Sequence, residues 1–294
     1  MTTRQDRDKE LRTVIIGAGM AGILTAIKLR EAGYENFVVY EKSDTVGGTW
    51  RENTYPGIAC DVPAHMYTYS FEPNPDWSSS YAPGGEIHEY FKRVAEKYQV
   101  LDRIRFNESV PSCEFVNSRW KIRTSNDRED EADFLIAATG VLHEPYVADI
   151  PGLDSFEGAS FHSARWDHSI GLEGERVGVI GTGSTSIQIT SALVDKVAKF
   201  DLFQRTAQWV MPIDNVTYSE HEKAEFRDDP TKLEAIRDQV NDDFEVFSNA
   251  VIDAESLEMK EVEAACLANL EDNVRDPELR EKLRPNYRAG CKRL

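Results

Sequence analysis

Two glycine-rich turns, each set between an apolar strand and a helix, restrict the possible fold more than any other feature of the chain. In the first, Thr13-Val14-Ile15-Ile16 runs into Gly17-Ala18-Gly19-Met20-Ala21-Gly22. A helical face of Ile23, Ala26, Ile27 and Ala32 follows and closes at Gly33, and the strand Phe37-Val38-Val39-Tyr40 then ends on Glu41. This is a complete dinucleotide-binding unit. Gly17 serves the tight turn, Gly19 lets backbone approach a pyrophosphate, and Gly22 lets the helix pack closely on the strand. The helix start offers free N–H groups and a positive dipole end to phosphates. Glu41, 22 residues after Gly19, is spaced to accept hydrogen bonds from ribose hydroxyls.

The device recurs. A strand Arg176-Val177-Gly178-Val179-Ile180 meets the turn Gly181-Thr182-Gly183-Ser184-Thr185-Ser186, then a helix through about Lys196 and a strand Phe200-Asp201-Leu202-Phe203. Ser186 replaces the third glycine and is small enough for fairly close packing. Arg205 falls 22 residues after Gly183, the spacing of Glu41 after Gly19, and stands between Gln204 and Thr206. A carboxylate there would repel a ribose 2′-phosphate, whereas a guanidinium binds one. An exposed surface cation is the plain alternative for Arg205. The first unit therefore reads as taking a non-phosphorylated dinucleotide and the second as selective for NADP. Two such sites in one chain suggest hydride transfer from NADPH to a bound FAD. The apolar strand Phe134-Leu135-Ile136-Ala137-Ala138, ending in Thr139-Gly140, is expected to close the first domain, with a hinge from Pro145 to Pro151.

Bulk properties remove other classes. The 294 residues carry a formal net charge of −18, which argues against nonspecific binding of nucleic acid. Much of the acidic excess falls between Glu220 and Glu281 and reads as a solvated helical surface. No apolar run approaches the roughly 18 residues that a membrane span requires. The charged start M-T-T-R-Q-D-R-D-K-E lacks the apolar stretch of a signal peptide, so the expected location is cytoplasmic. Cys60, Cys113, Cys266 and Cys291 form no C-x-x-C pair, which disfavours a zinc site or a dithiol redox centre and suits a reducing compartment.

Three further segments carry a resemblance to a family. Residues 156–167 fit F-x-G-x-x-x-H-x-x-x-W-(P/D) through Phe156, Gly158, His162, Trp166 and Asp167. Gly47-Gly48-Thr49-Trp50 is followed by Tyr55-Pro56-Gly57 and by Cys60-Asp61-Val62, and Gly290-Cys291-Lys292-Arg293 stands near the C-terminus. In these segments the chain resembles the Baeyer–Villiger monooxygenases, including the cyclohexanone-, phenylacetone- and hydroxyacetophenone-oxidising members. Trp166-Asp167 favours that side over the related N-oxygenating flavin monooxygenases.

The resemblance implies an α/β fold with two Rossmann-like dinucleotide-binding domains and a helical insertion. The expected division is 1–145 for FAD, 146–218 for the first portion of the NADP domain, and 219–294 for a helical insertion ending in G-C-K-R. Family members continue well beyond that segment, so the FAD domain is expected to be incomplete in this chain. By resemblance, Met20, Ala21, Lys42, Gly48, Thr49, Trp50, Asp61, Tyr67 and Val110 join Gly17, Gly19, Gly22 and Glu41 as FAD contacts. On the NADP side, Gln188, Thr206 and Lys292 join the 181–186 turn and Arg205, and His162 and Trp166 couple nicotinamide binding to domain rotation. The implied reaction uses NADPH and O2 to form a peroxide at the flavin C4a carbon, which attacks a ketone to give an ester or lactone. Arg293 would supply the cation beside that anion, oriented by Asp61.

Taken without the family, Arg293 and Asp61 read first as a terminal basic residue and a turn aspartate, and a lone histidine such as His162 as structural. An N- or S-oxygenating flavin enzyme and an inactive nucleotide-binding fragment stay open as alternatives. In the remaining segment, Leu233, Ile236, Val240, Phe244, Phe247 and Val251 form one apolar helical stripe, and Leu267, Leu270 and Val274 begin a second.

Overall fold

The apolar runs flanking the first glycine-rich turn pair side by side, as strands rich in β-branched residues do when both faces are to be covered. The computed structural model describes residues 11–253 and 255–292, which divide into two compact units. The first unit uses residues up to Thr54 together with Gly84–Trp166, and the second uses Tyr55–Pro83 together with residues from Asp167 onward.

In the first unit the chain runs through β1 (Thr13–Ile16), α1 (Met20–Glu31), β2 (Phe37–Tyr40), the short α2 (Thr49–Glu52), α3 (Gly84–Lys97) and β3 (Ile104–Arg105). It continues through β4 (Ser112–Val116), β5 (Arg119–Arg123), β6 (Glu129–Ala132) and β7 (Phe134–Ala137). A wholly parallel sheet has the order β3-β2-β1-β7, with Ile15 opposite Val39 on one side and Ile136 on the other. All of β2 is buried, and α1 sinks Gly22, Ile23, Ala26 and Ile27 against β1, β2 and α3. The strand expected to close the domain, β7, pairs with β1.

An antiparallel sheet, β4-β5-β6, was not expected from the sequence. Its first strand is exposed throughout, so no apolar alternation announces it. Its tight turn is carried by Asn117 and Ser118, both at positive φ, the conformation of a type I′ hairpin. Ile122 and Ala132 from this sheet pack with Val14, Val38 and Tyr40. A polar clamp holds the contact. Arg12 forks onto Asp130 at 2.9 and 2.6 Å, and the Tyr40 hydroxyl donates to Asp130 at 2.8 Å. Burial and this carboxylate push the Tyr40 pKa up to about 12, so the phenol stays a donor.

The second unit contains β8 (Arg176–Ile180), α4 (Ser184–Leu193) and β9 (Lys199–Phe203), then α5 (Glu220–Asp228), α6 (Pro230–Ile252), α7 (Leu257–Asn273) and α8 (Pro277–Leu283). β8 and β9 are parallel neighbours. Grouping by packing differs from the division expected by motif, because the excursion Tyr55–Pro83 is stitched to later residues. Ser80 N–H donates to the Val216 carbonyl at 2.8 Å and Tyr218 N–H to Ser78 at 2.9 Å. Arg227 binds Asp76 at 2.7 Å and Arg237 binds the Thr68 hydroxyl at 2.9 Å. Within this seam His65 is 3% exposed, between the rings of Tyr218 and Phe226, with Nε2 lacking a hydrogen-bond partner among the described residues.

The helical stripes are shallower than the sequence suggested. Leu233 is buried and Ile236, Val240, Phe247 and Val251 are half-buried, but Phe244 is exposed. On α7 the buried positions are Met259 and Cys266, which join Trp209, Ala250 and Ala289 in a small core, while Leu267 packs at its edge. A spacing of three or four marks a face but not how much of it is covered.

Candidate functional site

At the first turn, each glycine answers a different demand. Gly17 has φ +98°, and a Cβ there would lie 2.5 Å from the Ala138 carbonyl oxygen. A Cβ on Gly22 would lie 1.9 Å from the Gly17 carbonyl oxygen, so the helix start sits directly on the turn. Gly19 is different. Its Cβ would be 3.5 Å from Gly48 Cα, an ordinary contact, and its φ is −76°. The protein itself does not require glycine there. Space is kept open above the start of α1, where no side chain caps the helix and no acid occupies the first turn.

Three segments meet around that opening. Gly47 N–H donates to the Ala18 carbonyl at 3.1 Å, bringing Gly48, Thr49 and Trp50 beside Gly19. Glu41, 6% exposed, accepts from Ala18 N–H at 2.6 Å and Ser43 N–H at 2.9 Å, which fixes its carboxylate at the turn. Met20, Ala21 and Thr49 are exposed beside it. Lys42 pairs with Glu52 at 2.7 Å, and these two line a cleft of about 600 Å³ with Ser43, Asp44, Arg51, Asn107 and Arg165. Val110 lies elsewhere in its side-chain contacts, packed against the Val14–Tyr40 core cluster.

The second turn repeats the open geometry. A Cβ on either Gly181 or Gly183 would meet nothing within 4 Å, although Gly181 has φ +112°. The start of α4 again has no side-chain cap. Helices α5, α6, α7 and α8 are all capped, by Ser219, Asp229, Ser256 and Asp276. The short α2 lacks a side-chain cap as well, so the starts of α1, α2 and α4 share this feature. Ser186 is 6% exposed, packed where a third glycine would stand.

Arg205 follows β9, is exposed, and forms no ion pair among the described residues. Thr206 is joined to the turn through Gln208, whose amide donates to Thr182 Oγ1 and to the Thr206 carbonyl, each at 3.2 Å. Gln208 Oε1 accepts from the Tyr287 hydroxyl at 3.0 Å, and the Lys292 ammonium lies 4.5 Å from the Tyr287 ring centroid. Thr182, Thr206 and Lys292 therefore belong to one connected group, through two residues that no motif singled out.

The 55–62 loop lies against α4. The Tyr55 hydroxyl donates to Gln188 Oε1 at 2.9 Å and the Gln188 amide donates to the Ala59 carbonyl at 2.9 Å. Gln188 thus spends its side chain on this loop. Asp61 is exposed at the start of α4, where the Ser184 hydroxyl approaches it at 3.5 Å. Gly57 explains the close approach, with φ +82° and a virtual Cβ 2.5 Å from the Gln188 carbonyl oxygen. Gly57→Ala is expected to cost on the order of 2–4 kcal/mol, from the left-handed backbone plus the overlap. Denaturant titration checks this, and an unchanged midpoint would contradict the docking.

Tyr67 lies in the same excursion, its N–H bound to the Pro63 carbonyl at 3.0 Å. His162 Nδ1 accepts from Ala164 N–H at 3.0 Å and so caps the turn Ser163–Arg165, while Trp166 meets Phe161 edge-on at 5.1 Å. The division between compact units falls between Trp166 and Asp167, inside this motif. Arg293 lies outside the described residues. Among the described residues, no group of three or more His, Cys, Asp or Glu is placed to hold a metal ion, and no helix is long and apolar enough to cross a membrane.

Residues 10–220 match the family described as flavin-binding monooxygenase-like. The chain belongs to that family. Among its relatives, an uncharacterized monooxygenase of Mycobacterium tuberculosis is 47% identical over 280 residues, 95% of this chain and 56% of the relative. A Baeyer–Villiger monooxygenase of Streptomyces coelicolor is 41% identical over 303 residues, covering 100% of this chain and 57% of the relative. The crystal structure of cyclohexanone monooxygenase from Rhodococcus sp. Phi1 bound to NADP+ superposes with a TM-score of 0.82 at 27% identity, over 97% of this chain and 61% of that one. The chain thus spans a little over half the length of the curated relatives it matches.

For a flavin-binding monooxygenase-like chain, Tyr55, Gln208 and Tyr287 are the positions that sequence reading passed over. Tyr55 carried a signal, since it opens a quoted motif. Gln208 and Tyr287 carried none, because their roles depend on contacts across 79 positions of chain.

Proposed function

We propose that this chain supplies the dinucleotide sites of an FAD- and NADPH-dependent Baeyer–Villiger monooxygenase, which inserts one atom of O2 into a ketone to give an ester or lactone. The observation that carries the reading is the open space at Gly19 and Gly183, where glycine is not demanded by the protein's own atoms. A pyrophosphate approaching the backbone at these glycines would meet the N-terminal ends of α1 and α4, whose dipoles favour its charge.

FAD, when bound, supplies the redox chemistry that accepts a hydride and activates O2. The residues of this chain bind and orient. Gly17–Gly22 and the Gly48 segment would cradle the FAD pyrophosphate, and Glu41, held by two backbone donors, has lone pairs left for ribose hydroxyls. Lys42 would steady the adenosine side. On the NADPH side, Arg205 with Thr206 and Lys292 would hold the 2′-phosphate. Asp61, beside Ser184, would stand where the second turn meets the reacting end, and Arg293 would provide a fixed cation for developing negative charge. His162, spent on a cap, suits a positioning role better than proton transfer.

Arg205→Ala is expected to weaken NADPH binding about 10- to 100-fold, the loss of a charge-assisted hydrogen bond, with NADH nearly unaffected. Equal losses for both would remove the 2′-phosphate assignment. For the reaction, FAD-loaded protein is supplied with NADPH, a panel of cyclic and open-chain ketones, and a thioether. Ester or lactone formed in step with NADPH consumption is the expected result. Turnover of the thioether alone would assign an S-oxygenating enzyme instead.

A further inference from the structure

We infer that Gln208 and Tyr287 form a positioning bridge that organises the 2′-phosphate subsite of the second dinucleotide turn and sets the preference for the phosphorylated nucleotide. The inference rests on the NADP reading of Arg205 and deepens it. Neither residue belongs to a dinucleotide fingerprint, and both are fixed by their surroundings.

The Gln208 side chain is fully engaged. Its nitrogen donates to Thr182 Oγ1 in the glycine-rich turn and to the Thr206 carbonyl after β9, each at 3.2 Å. Its oxygen accepts from Tyr287 at 3.0 Å. With both donors and the acceptor used, only one amide orientation satisfies all three partners. One side chain thereby ties the turn, the strand end and a segment nearly eighty residues later.

Tyr287 is anchored independently. Its carbonyl accepts the Trp209 indole N–H at 2.7 Å, and it packs against the core of Trp209, Met259 and Cys266. Its ring then serves as a platform for Lys292, whose ammonium lies 4.5 Å from the centroid. A lysine otherwise loses considerable rotamer freedom when it engages a phosphate. Resting on a ring whose hydroxyl is tied through Gln208 to the Thr206 carbonyl, this cation is linked to the segment that follows Arg205, so less ordering remains for binding. A nucleotide without the 2′-phosphate has no use for that arrangement. The bridge therefore acts on selectivity and not on dinucleotide affinity in general.

Calorimetric titration with NADP+ and with NAD+, in the absence of turnover, tests this on the wild type, Gln208→Ala, Tyr287→Phe, Tyr287→Leu and Arg205→Ala. Gln208→Ala and Tyr287→Leu are expected to raise the NADP+ Kd roughly five- to tenfold while the NAD+ Kd moves by less than about twofold. Tyr287→Phe keeps the ring under Lys292 but drops the hydroxyl, and should fall between wild type and Tyr287→Leu. Its near-isosteric change guards against general unfolding, which melting curves would also report. If Arg205→Ala loses NADP+ selectively but the bridge variants lose nothing, or lose both nucleotides equally, the bridge is wrong and the NADP reading stands. If Arg205→Ala is unselective, or the wild type binds neither nucleotide, the NADP reading fails and the bridge with it.

Discussion

Gly19→Val should yield a folded protein that has lost its flavin, whereas Gly22→Ala, a smaller change three residues away, should lower the melting temperature. The added Cβ at position 19 would stand 3.5 Å from its nearest neighbour, an ordinary contact. Its branches would then fill the opening above α1 where a pyrophosphate must approach the backbone. At position 22 the first carbon alone would lie 1.9 Å from the Gly17 carbonyl oxygen, and that oxygen belongs to a turn already held by Gly17 N–H on Tyr40. Relieving the overlap means shifting α1 on β1, as the second unit does around Ser186, at a cost of about 1–3 kcal/mol. Flavin absorbance and the melting temperature, read on both variants, separate the two demands. A Gly19→Val protein that stays yellow would show that the opening does not hold the cofactor.

Acid should weaken the protein through His65. Burial among aromatic rings drives this imidazole from 6.5 down to about 4, against a raising effect of a bond with the Asn74 backbone. Arg237 reaches His65 only at its backbone carbonyl, at 3.5 Å, and burial keeps the neighbouring Tyr218 phenol above its ordinary range and so neutral here. The folded state resists the proton that the unfolded state accepts. The stability is therefore fully present above pH 6.5 and is lost as pH falls from 6.5 toward 4. With those limits the loss between pH 7 and 5 is about 2 kcal/mol. His65→Phe keeps an aromatic in the seam and removes the titration. Denaturant midpoints at several pH values should converge on a flatter profile for the variant. Parallel profiles for wild type and variant would clear His65 of the effect.

What could be read from the sequence was whatever acts locally. Thr13 to Glu41 and Arg176 to Arg205 each encode a strand, turn, helix and strand within about 30 residues, and the structure places all four strands as spaced. β4 was illegible because every one of its side chains is exposed, so burial wrote no alternation into it. Residues 55–62 announced a motif but not where they dock, since Tyr55 finds Gln188 133 positions later. Phe244 misled because helical spacing reports a face whether or not anything covers it. At the site, spacing singled out Gly19 and Gly183, where the protein's own atoms do not demand glycine. It could not tell them from Gly57, which α4 needs, and it could not foresee Gln208 and Tyr287, whose partners are set by tertiary folding.

The stitched excursion also bears on how the chain is made. Ser80 and Tyr81 leave the ribosome well before Asn215, 135 and 134 positions later, with which both form hydrogen bonds. At about 5–20 residues per second, that wait lasts on the order of ten seconds. Meanwhile Gly84 onward can already return to the parallel sheet, leaving Tyr55–Pro83 as a closed but unsatisfied loop carrying Tyr69 and Trp77, both destined for burial. A newborn chain in that state offers apolar surface to chaperones and to other copies. Slowing or pausing translation between the codons for 84 and 215 should therefore lower soluble yield, with no change in the sequence of the protein.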